Sequence, residues 1–193
     1  MSEIKIKHRL FEIVEELSEK QLIATYKGKK YFIDLFEPKS KAGSEITFSC
    51  NRISSAGIRS PRIKIIDKKH GYIVREYLEG VSIMEMIAKD ELPEEVYHQL
   101  FLNAYLAKRS AMTLNYEPDK WIWIDNTLYY VYPHFIIFNE EKDLVKHYLR
   151  LWFPTKELIQ FLSQNGLTFD KNRLKDEYAT NKAIVLMVCK HYR

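Results

Sequence analysis

The chain has 193 residues, of which 46% are hydrophobic and 29% are charged. This balance predicts a globular protein with a packed core, in one domain or two small lobes, and it excludes a disordered or fibrous chain. The formal net charge of +4, from 30 basic and 26 acidic residues, is a mild excess that is compatible with an acidic partner but does not require one.

The amino-terminal residues and the cysteines indicate a cytoplasmic protein. The first 17 residues contain no apolar stretch of signal-peptide length, and no later window approaches the roughly 20 apolar residues that a membrane span needs. Cys50 and Cys189 are far apart and have no CxxC spacing, so neither a disulfide framework nor a zinc site is predicted. We therefore expect no membrane partner and no metal site.

The first predicted elements are a helix and a β-hairpin. Residues 6–20 carry apolar side chains at helical spacing, which predicts a helix, with a twisted strand around Ile4 and Ile6 as the alternative. The apolar residues at this spacing are Leu10, Ile13, Val14 and Leu17. Two β-rich runs then flank Lys27-Gly28-Lys29-Lys30, where the glycine permits a tight turn, so a hairpin is predicted.

A second helix and a second hairpin follow. Apolar residues between Ile46 and Ile53 lie on one face of a predicted helix that ends at Gly57. Residues 62–78 are rich in β-forming side chains on both sides of a turn from Asp67 to Gly71, which predicts a hairpin. The first part of the chain is therefore expected to contain two hairpins that flank one helix.

The second part of the chain is mostly helical in pattern. A short helix is predicted directly after Gly80, and a longer helix begins at Pro93, a residue that suits the first turn, and continues to about Ser110. A third hairpin turns at Asp125-Asn126. From Glu140 onward the spacing is helical, with Gly166 as a stop.

This order of elements resembles the two-lobed fold of the protein kinases, and most closely the RIO kinases and the small kinase of the tRNA threonylcarbamoylation complex. The resemblance is best over about 28 residues, AGIRSPRIKIIDKKHGYIVREYLEGVSI. In those kinases a helix ends in Ala-Gly-Val/Ile, a proline follows, one strand ends in Asp, and the next strand enters an acidic, aromatic hinge. The matching residues here are Gly57-Ile58, Pro61, Asp67 and Glu76-Tyr77-Leu78-Glu79-Gly80.

The resemblance implies an α+β fold with a boundary near the hinge. Residues 1–79 would form a small β-rich amino-terminal lobe, an antiparallel sheet with one helix. Residues 80–193 would form a carboxyl-terminal lobe that is helical apart from one hairpin. A nucleotide would contact Glu76, Tyr77 and Leu78 mainly through their backbone groups.

The amino-terminal part lacks the groups with which kinases hold phosphate. Kinases use a glycine-rich loop and a lysine on the third strand, which pairs with a glutamate on the following helix. Gly28 is the only glycine in the loop region, and it lies at the next turn. The resemblance puts Asp34 at the lysine position, where an anion repels phosphate, and Glu45 at the glutamate position.

The catalytic loop is also altered. The resemblance puts Asn115 at the position of the base, Lys120 near the magnesium-binding Asn, and Tyr132 at the position of the magnesium-binding Asp. An amide cannot take a proton from a hydroxyl group, and magnesium prefers carboxylate oxygens. An alternative alignment uses Glu117 or Asp119 as the base and Asp125 as a metal ligand.

These replacements predict a pseudokinase, a kinase-like protein without phosphotransfer activity that acts as a binding or regulatory module. One alternative is an active serine/threonine kinase of RIO type, and only in that case are ATP and Mg²⁺ expected as cofactors. We expect a protein partner and no DNA.

An RNA-binding module is the other alternative. It would use a cationic edge formed by the two basic turns, or aromatic side chains that stack on bases. The basic residues are Lys27, Lys29, Lys30, Lys68, Lys69 and His70, and the aromatic ones are Trp121, Trp123, Tyr129, Tyr130 and Tyr132. Aromatic residues in such a hairpin more often fill the core.

Overall fold

In the computed structural model, which describes residues 2–174 and 176–191, the protein has an α+β fold with antiparallel sheets and several helices. Contacts between Cα atoms divide the chain into two compact units. Unit 1 comprises the residues up to Ser54 together with Ser60–Glu79, and unit 2 comprises Ser55–Arg59 and the residues from Gly80 onward. The segment that follows the first helix therefore belongs to unit 2.

Unit 1 contains one six-stranded antiparallel sheet with the order β1-β2-β3-β4-β6-β5. Its strands are β1 (Glu3–Ile6), β2 (Arg9–Ser18), β3 (Gln21–Tyr26), β4 (Lys29–Leu35), β5 (Ile63–Asp67) and β6 (Tyr72–Glu76). The first four strands form a meander, and helix α1 (Ala42–Ser55) connects β4 to β5. The predicted sequence of hairpin, helix and hairpin is thus present.

The core of unit 1 shows that the sheet is curled. Ile6 on the edge strand β1 and Ile65 on the opposite edge strand β5 belong to one buried cluster. The other buried members are Phe11, Leu22, Ala24, Ile33 and Val74. Two edges share one core only if the sheet bends around it. On α1, Ile46 and Cys50 pack against Ile73.

The predicted first helix is wrong, because residues 3–6 and 9–18 are strands. Lys7 has a φ of 54°, and the tight turn there pairs Ile4 with Phe11. Phe11, which the helical face leaves out, is fully buried. Two register shifts in β2, after Ile13 and after Glu16, break the alternation that would have indicated a strand. Pairing with β1 and β3 therefore outweighs the local spacing.

The turns of the β3–β4 and β5–β6 hairpins were predicted correctly. Lys27 and Gly28 both have positive φ and close the hairpin of β3 and β4. Gly71 closes the hairpin of β5 and β6 with a φ of 79°, and a Cβ at this residue would lie 2.0 Å from the carbonyl oxygen of Phe36. Only glycine fits this close approach of two backbones.

Unit 2 combines short strands with helices. Its strands are β7 (Val81–Ser82), β8 (Met112–Thr113), β9 (Trp121–Ile124), β10 (Thr127–Tyr130) and β11 (Ile136–Ile137). Strand β9 pairs with both β10 and β7, and β8 pairs with β11. The predicted helices after Gly80 and Pro93 are α2 (Ile83–Lys89) and α3 (Glu94–Arg109).

The end of the chain is helical but only partly α-helical. Leu144–Tyr148 forms a π-helical turn and Leu149–Trp152 a 3₁₀ turn. Helix α4 (Lys156–Gln164) begins after Thr155, whose hydroxyl oxygen accepts a hydrogen bond from the Leu158 amide at 3.1 Å, and helix α5 (Glu177–His191) follows. Within the described ranges, the helices lack the length and apolar character that a membrane span requires.

Candidate functional site

The loop between β8 and β9 in unit 2 is closed by its own side chains. The Asn115 Oδ1 atom accepts a hydrogen bond from the Glu117 amide at 2.9 Å, and the Asn115 amide group donates to Glu117 Oε2, also at 2.9 Å. A 3₁₀ turn, Pro118–Lys120, then leads into β9. Asn115 thus orders the loop, and its side chain is already engaged.

Two buried aromatic residues hold the backbone of Asn115. Its amide donates to the Tyr130 hydroxyl oxygen at 3.1 Å, and Trp121 Nε1 donates to its carbonyl oxygen at 3.2 Å. The Tyr130 hydroxyl donates in turn to the carbonyl of His134 at 2.8 Å. Burial raises the pKa of Tyr130, so its hydroxyl keeps its proton. The loop therefore has a fixed conformation.

Lys120 neutralises the acidic residues of this loop. Its Nζ atom forms an ion pair with Asp119 Oδ2 and lies 3.7 Å from Glu117 Oε2. The same ammonium group lies 5.6 Å from the centre of the Tyr132 ring, which is a cation–π distance. These residues, Glu117, Asp119, Lys120 and Tyr132, are called the Lys120 cluster below. Three residues named from the sequence are therefore brought together around a fourth, Lys120.

The Lys120 cluster is poorly suited to catalysis. Glu117 Oε2 already accepts from the Asn115 amide and faces Lys120, and Asp119 Oδ2 is paired with Lys120. Within the described residues, Asp119 Oδ1 has no hydrogen-bond partner although it is shielded from solvent. No group of three or more His, Cys, Asp or Glu side chains in this part of the chain is arranged to hold a metal ion.

Asp125 does not join this cluster. It lies at the tip of the β9–β10 hairpin, where Asp125 and Asn126 have φ values of 45° and 58°. Two consecutive residues with positive φ form the tight turn that hairpins favour. The four residues of β9, about 13 Å of extended chain, separate Asp125 from Lys120. The structure therefore places Asp125 in the hairpin turn and not beside Glu117 or Asp119.

In unit 1, Asp34 forms a buried ion pair. Its Oδ2 atom accepts from Arg75 Nε at 2.6 Å and its Oδ1 atom from Arg75 Nη2 at 3.0 Å. Gln21 Nε2 donates to the same Oδ1 atom at 3.1 Å. Only 9% of the Asp34 side chain and 2% of the Arg75 side chain are exposed. Both carboxylate oxygens are thus satisfied inside the protein.

Arg75 was not among the residues named from the sequence. The signal was a charged residue in the middle of a β-rich run, YIVRE, together with another in YFIDL. A buried charge requires a partner of opposite sign, so two such residues in paired strands indicate each other. Near this pair, burial raises the pKa of the Cys50 thiol, while the positive charge of Arg75 lowers it. Cys50 and Cys189 are both free.

Glu45 does not meet a lysine. It lies exposed in the first turn of α1, and among the described residues no cation lies within ion-pair distance of it. Acidic residues at this end of a helix interact favourably with the helix dipole. This interaction with the helix dipole is a local reason for an acidic residue at position 45.

The residues that the resemblance assigns to the hinge make contacts within unit 1. The Glu76 carboxylate lies 3.3 Å from Lys64 Nζ. The Tyr77 ring contacts the Phe32 ring with centroids 4.8 Å apart, and Lys30 Nζ lies 5.4 Å from its centre. Leu78 is half-buried. The side chains of Glu76 and Tyr77 therefore stabilise the end of the sheet.

The expected cationic edge is wrong. Tyr31 pairs with Glu76 and Leu35 pairs with Tyr72, so the turn at Lys27-Gly28 and the turn at residues 68–71 lie beyond opposite ends of β4. The seven residues of β4, about 23 Å of strand, separate them. The two turns would lie at the same end only if β5 paired with β4, but β6 takes that place in the sheet.

The aromatic residues of the third hairpin mostly belong to the core. Trp121 and Tyr130 are fully buried and their ring centroids lie 4.8 Å apart. Trp123 and Tyr129 are half-buried, and Tyr132 is exposed beside Lys120. The buried pair has no face open to a nucleic-acid base, which confirms the core interpretation for those two residues.

Compared with the models of known protein families and with curated protein sequences, the chain matches none.

Proposed function

We propose that this protein is a pseudokinase, a kinase-like protein that lacks phosphotransfer activity and acts as a binding or regulatory module. The observation that carries the proposal is the Lys120 cluster. In the positions that the kinase resemblance assigns to base and metal, Asn115 is engaged in the loop and a lysine ammonium neutralises the two neighbouring acids. Phosphoryl transfer needs a free carboxylate base and ligands for magnesium.

The order of elements supports a two-lobed, kinase-like arrangement. A sheet with one helix between its last two hairpins comes first, a hinge-like segment ends at Gly80, and a mainly helical unit with one hairpin follows. The resemblance implies this order of elements. This order of elements favours a kinase-like fold over other α+β folds.

The Asp34–Arg75 pair supports the loss of activity independently. An active kinase has a lysine at the position of Asp34, and the lysine binds phosphate oxygens. Here the charge is reversed, and the carboxylate is held by Arg75 and Gln21. An anion held in this way offers no favourable contact to a nucleotide phosphate.

One observation favours the alternative of an active kinase. Asp119 Oδ1 lacks a hydrogen-bond partner among the described residues, and an unsatisfied carboxylate oxygen is available to accept a proton or bind a cation. In that case turnover would require Mg²⁺ and would disappear in an Asp119→Asn variant.

Thermal denaturation of the full-length protein with ATP, with and without Mg²⁺, tests the proposal. A ligand present at 100 times its Kd adds about 2.7 kcal/mol to the free energy of unfolding. In a chain of this size, that raises Tm by roughly 5–10 °C. We expect no Mg²⁺-dependent rise in Tm and no phosphate transfer to a generic protein substrate.

A saturable rise in Tm that requires Mg²⁺ would contradict the proposal if phosphate transfer accompanies it. Turnover that survives in the Asp119→Asn variant would assign the activity to another residue. Turnover that is lost in this variant, while a Glu85→Gln control at an exposed residue stays active, would support the active-kinase alternative.

A further inference from the structure

Unit 1 contains a cleft of about 530 Å³ between the β1–β2 turn and the edge strand β5. Lys7, His8 and Arg9 line it from the turn, and the residues from Ile63 to Ile66 line it from β5. None of these lining residues is acidic. The volume is within the range of binding sites for ligands.

The wall of the cleft is a free strand edge. In the described part of the chain, β1 pairs only with β2, and β5 pairs only with β6. The curled sheet brings these two edges to opposite sides of the cleft, where the Lys7 backbone amide donates to the Asp67 carboxylate. An edge strand presents unpaired N–H and C=O groups along its length. The cleft thus combines the unpaired backbone groups of a strand edge with basic side chains.

We propose that this cleft binds an extended acidic segment of a partner protein, which adds to β5 as a further strand. The backbone of such a segment hydrogen-bonds to the free edge, and alternate side chains contact the apolar wall. Its carboxylates face Lys7, Arg9 and Lys64, which are all exposed. The inference depends on unit 1 alone and holds whether or not unit 2 binds a nucleotide.

The charges select this occupant over a second copy of the chain. Two copies joined at β5 would bring Lys64 and the basic turn of each against those of the other. Lysines on edge strands prevent pairing with like strands in this way. Lys64 also pairs with Glu76 at 3.3 Å, but both side chains are more than a third exposed, so this pair rearranges at small cost.

The lining also favours a peptide over a nucleic acid. Proteins that bind single strands stack the bases on aromatic side chains. The lining contains isoleucines and one histidine but no Phe, Tyr or Trp side chain. Isoleucine side chains and a free strand edge instead match the side chains and backbone of an extended peptide.

Fluorescence anisotropy with a labelled eight-residue peptide, in which Glu alternates with Val, tests the inference on the full-length protein. We expect saturable binding that weakens at least tenfold in the Lys7→Glu/Lys64→Glu variant. The matched control is Lys68→Glu/Lys69→Glu, which changes the net charge equally outside the lining and should alter the Kd less than twofold. Circular dichroism of both variants checks that they are folded.

A second peptide separates strand addition from simple anion capture. Replacing each Val with Pro keeps the charge but removes alternate backbone donors, so we expect at least tenfold weaker binding to the unaltered protein. This comparison holds even if the double variant does not fold. The inference would be overturned if both peptides bind equally or if both charge reversals weaken binding equally. It would also be overturned if no binding is seen at millimolar peptide, or if an oligouridylate binds more tightly at the same cleft.

Discussion

Two groups of ion pairs, one in each unit, differ mainly in their burial. The Asp34 and Arg75 side chains are 9% and 2% exposed and are joined by two hydrogen bonds. In the Lys120 cluster, the side chains of Lys120, Asp119 and Glu117 are 25%, 21% and 34% exposed. Water therefore screens the second group and hardly reaches the first.

The difference decides how each group responds to mutation. A buried charge that loses its partner cannot be solvated, whereas a partly exposed one can. The charge of Asp34 is opposite to that of the lysine that the kinase resemblance implies at this position, whereas Lys120 lies near a position where the resemblance implies a neutral Asn. The first change is part of the core of unit 1, and the second is confined to one loop of unit 2. The following predictions test this contrast, beginning with the largest effect.

Arg75→Met should have the largest effect. The variant leaves the Asp34 carboxylate buried without its cation, which we expect to lower the free energy of unfolding by about 3–5 kcal/mol. Urea denaturation measures this loss. The double variant Asp34→Leu/Arg75→Met removes both charges and should recover most of it. A loss of less than 1 kcal/mol in the single variant would show that the pair is not dehydrated.

Tyr130→Phe should have an intermediate effect in unit 2. The change removes the acceptor for the Asn115 amide and the donor to the His134 carbonyl, both in a buried environment. We expect a loss of about 1–3 kcal/mol in urea denaturation. Tyr129→Phe, at a half-buried residue of the same strand, is the control and should change stability by less than about 0.5 kcal/mol. Equal losses would indicate that the hydroxyl does not hold the loop.

Lys120→Met should have a smaller effect, although it removes the central cation of its cluster. Ion pairs with this much exposure contribute about 0–1 kcal/mol. We expect a loss of that size in urea, which decreases at high salt because the remaining charges are screened. Lys142→Met, at an exposed residue, serves as the control. A loss comparable to that of Arg75→Met would contradict the contrast between the two units.

The smallest effect concerns the pH dependence of unit 1. A hydrogen bond from His70, together with its charge, lowers the pKa of Asp67 below 3.8. A lowered folded-state pKa stabilises the protein above the unfolded value, and this contribution is lost as the pH falls through the folded value. Urea midpoints between pH 2 and 6 should therefore fall less steeply in Asp67→Asn. Parallel curves would show that Asp67 titrates normally.

Local chemistry explains the elements that were predicted correctly. Gly28 and Gly71 occupy positive φ, and Asp125-Asn126 forms a tight turn, so three hairpins follow from residues next to each other. The helix after Pro93 follows from its first turn in the same way. Local spacing did not predict the strand at residues 9–18, because register shifts remove its alternation of apolar and polar side chains. Its pairing with β1 and β3 is also not visible in local spacing.

The candidate site was predictable in its residues but not in its contacts. Asn115, Glu117, Asp119, Lys120 and Tyr132 were all named from the sequence, because they lie within one short loop and the hairpin after it. Their grouping around the Lys120 ammonium depends on the backbone path through the 3₁₀ turn. The sequence offered Asp125 as a metal ligand in the alternative alignment, whereas the structure places it at the far end of β9.

The sequence by itself determined the turns of three hairpins, the helices α1, α2 and α3, and the identity of the residues at the positions that the kinase resemblance assigns, since each depends on neighbours a few residues away. Only the tertiary structure decided which charges are paired and which are solvated. Asp34 and Arg75 are 41 residues apart and meet because β4 and β6 are adjacent in the sheet. The free energy of a charge depends on its burial and its partners, and both are set by contacts between distant parts of the chain.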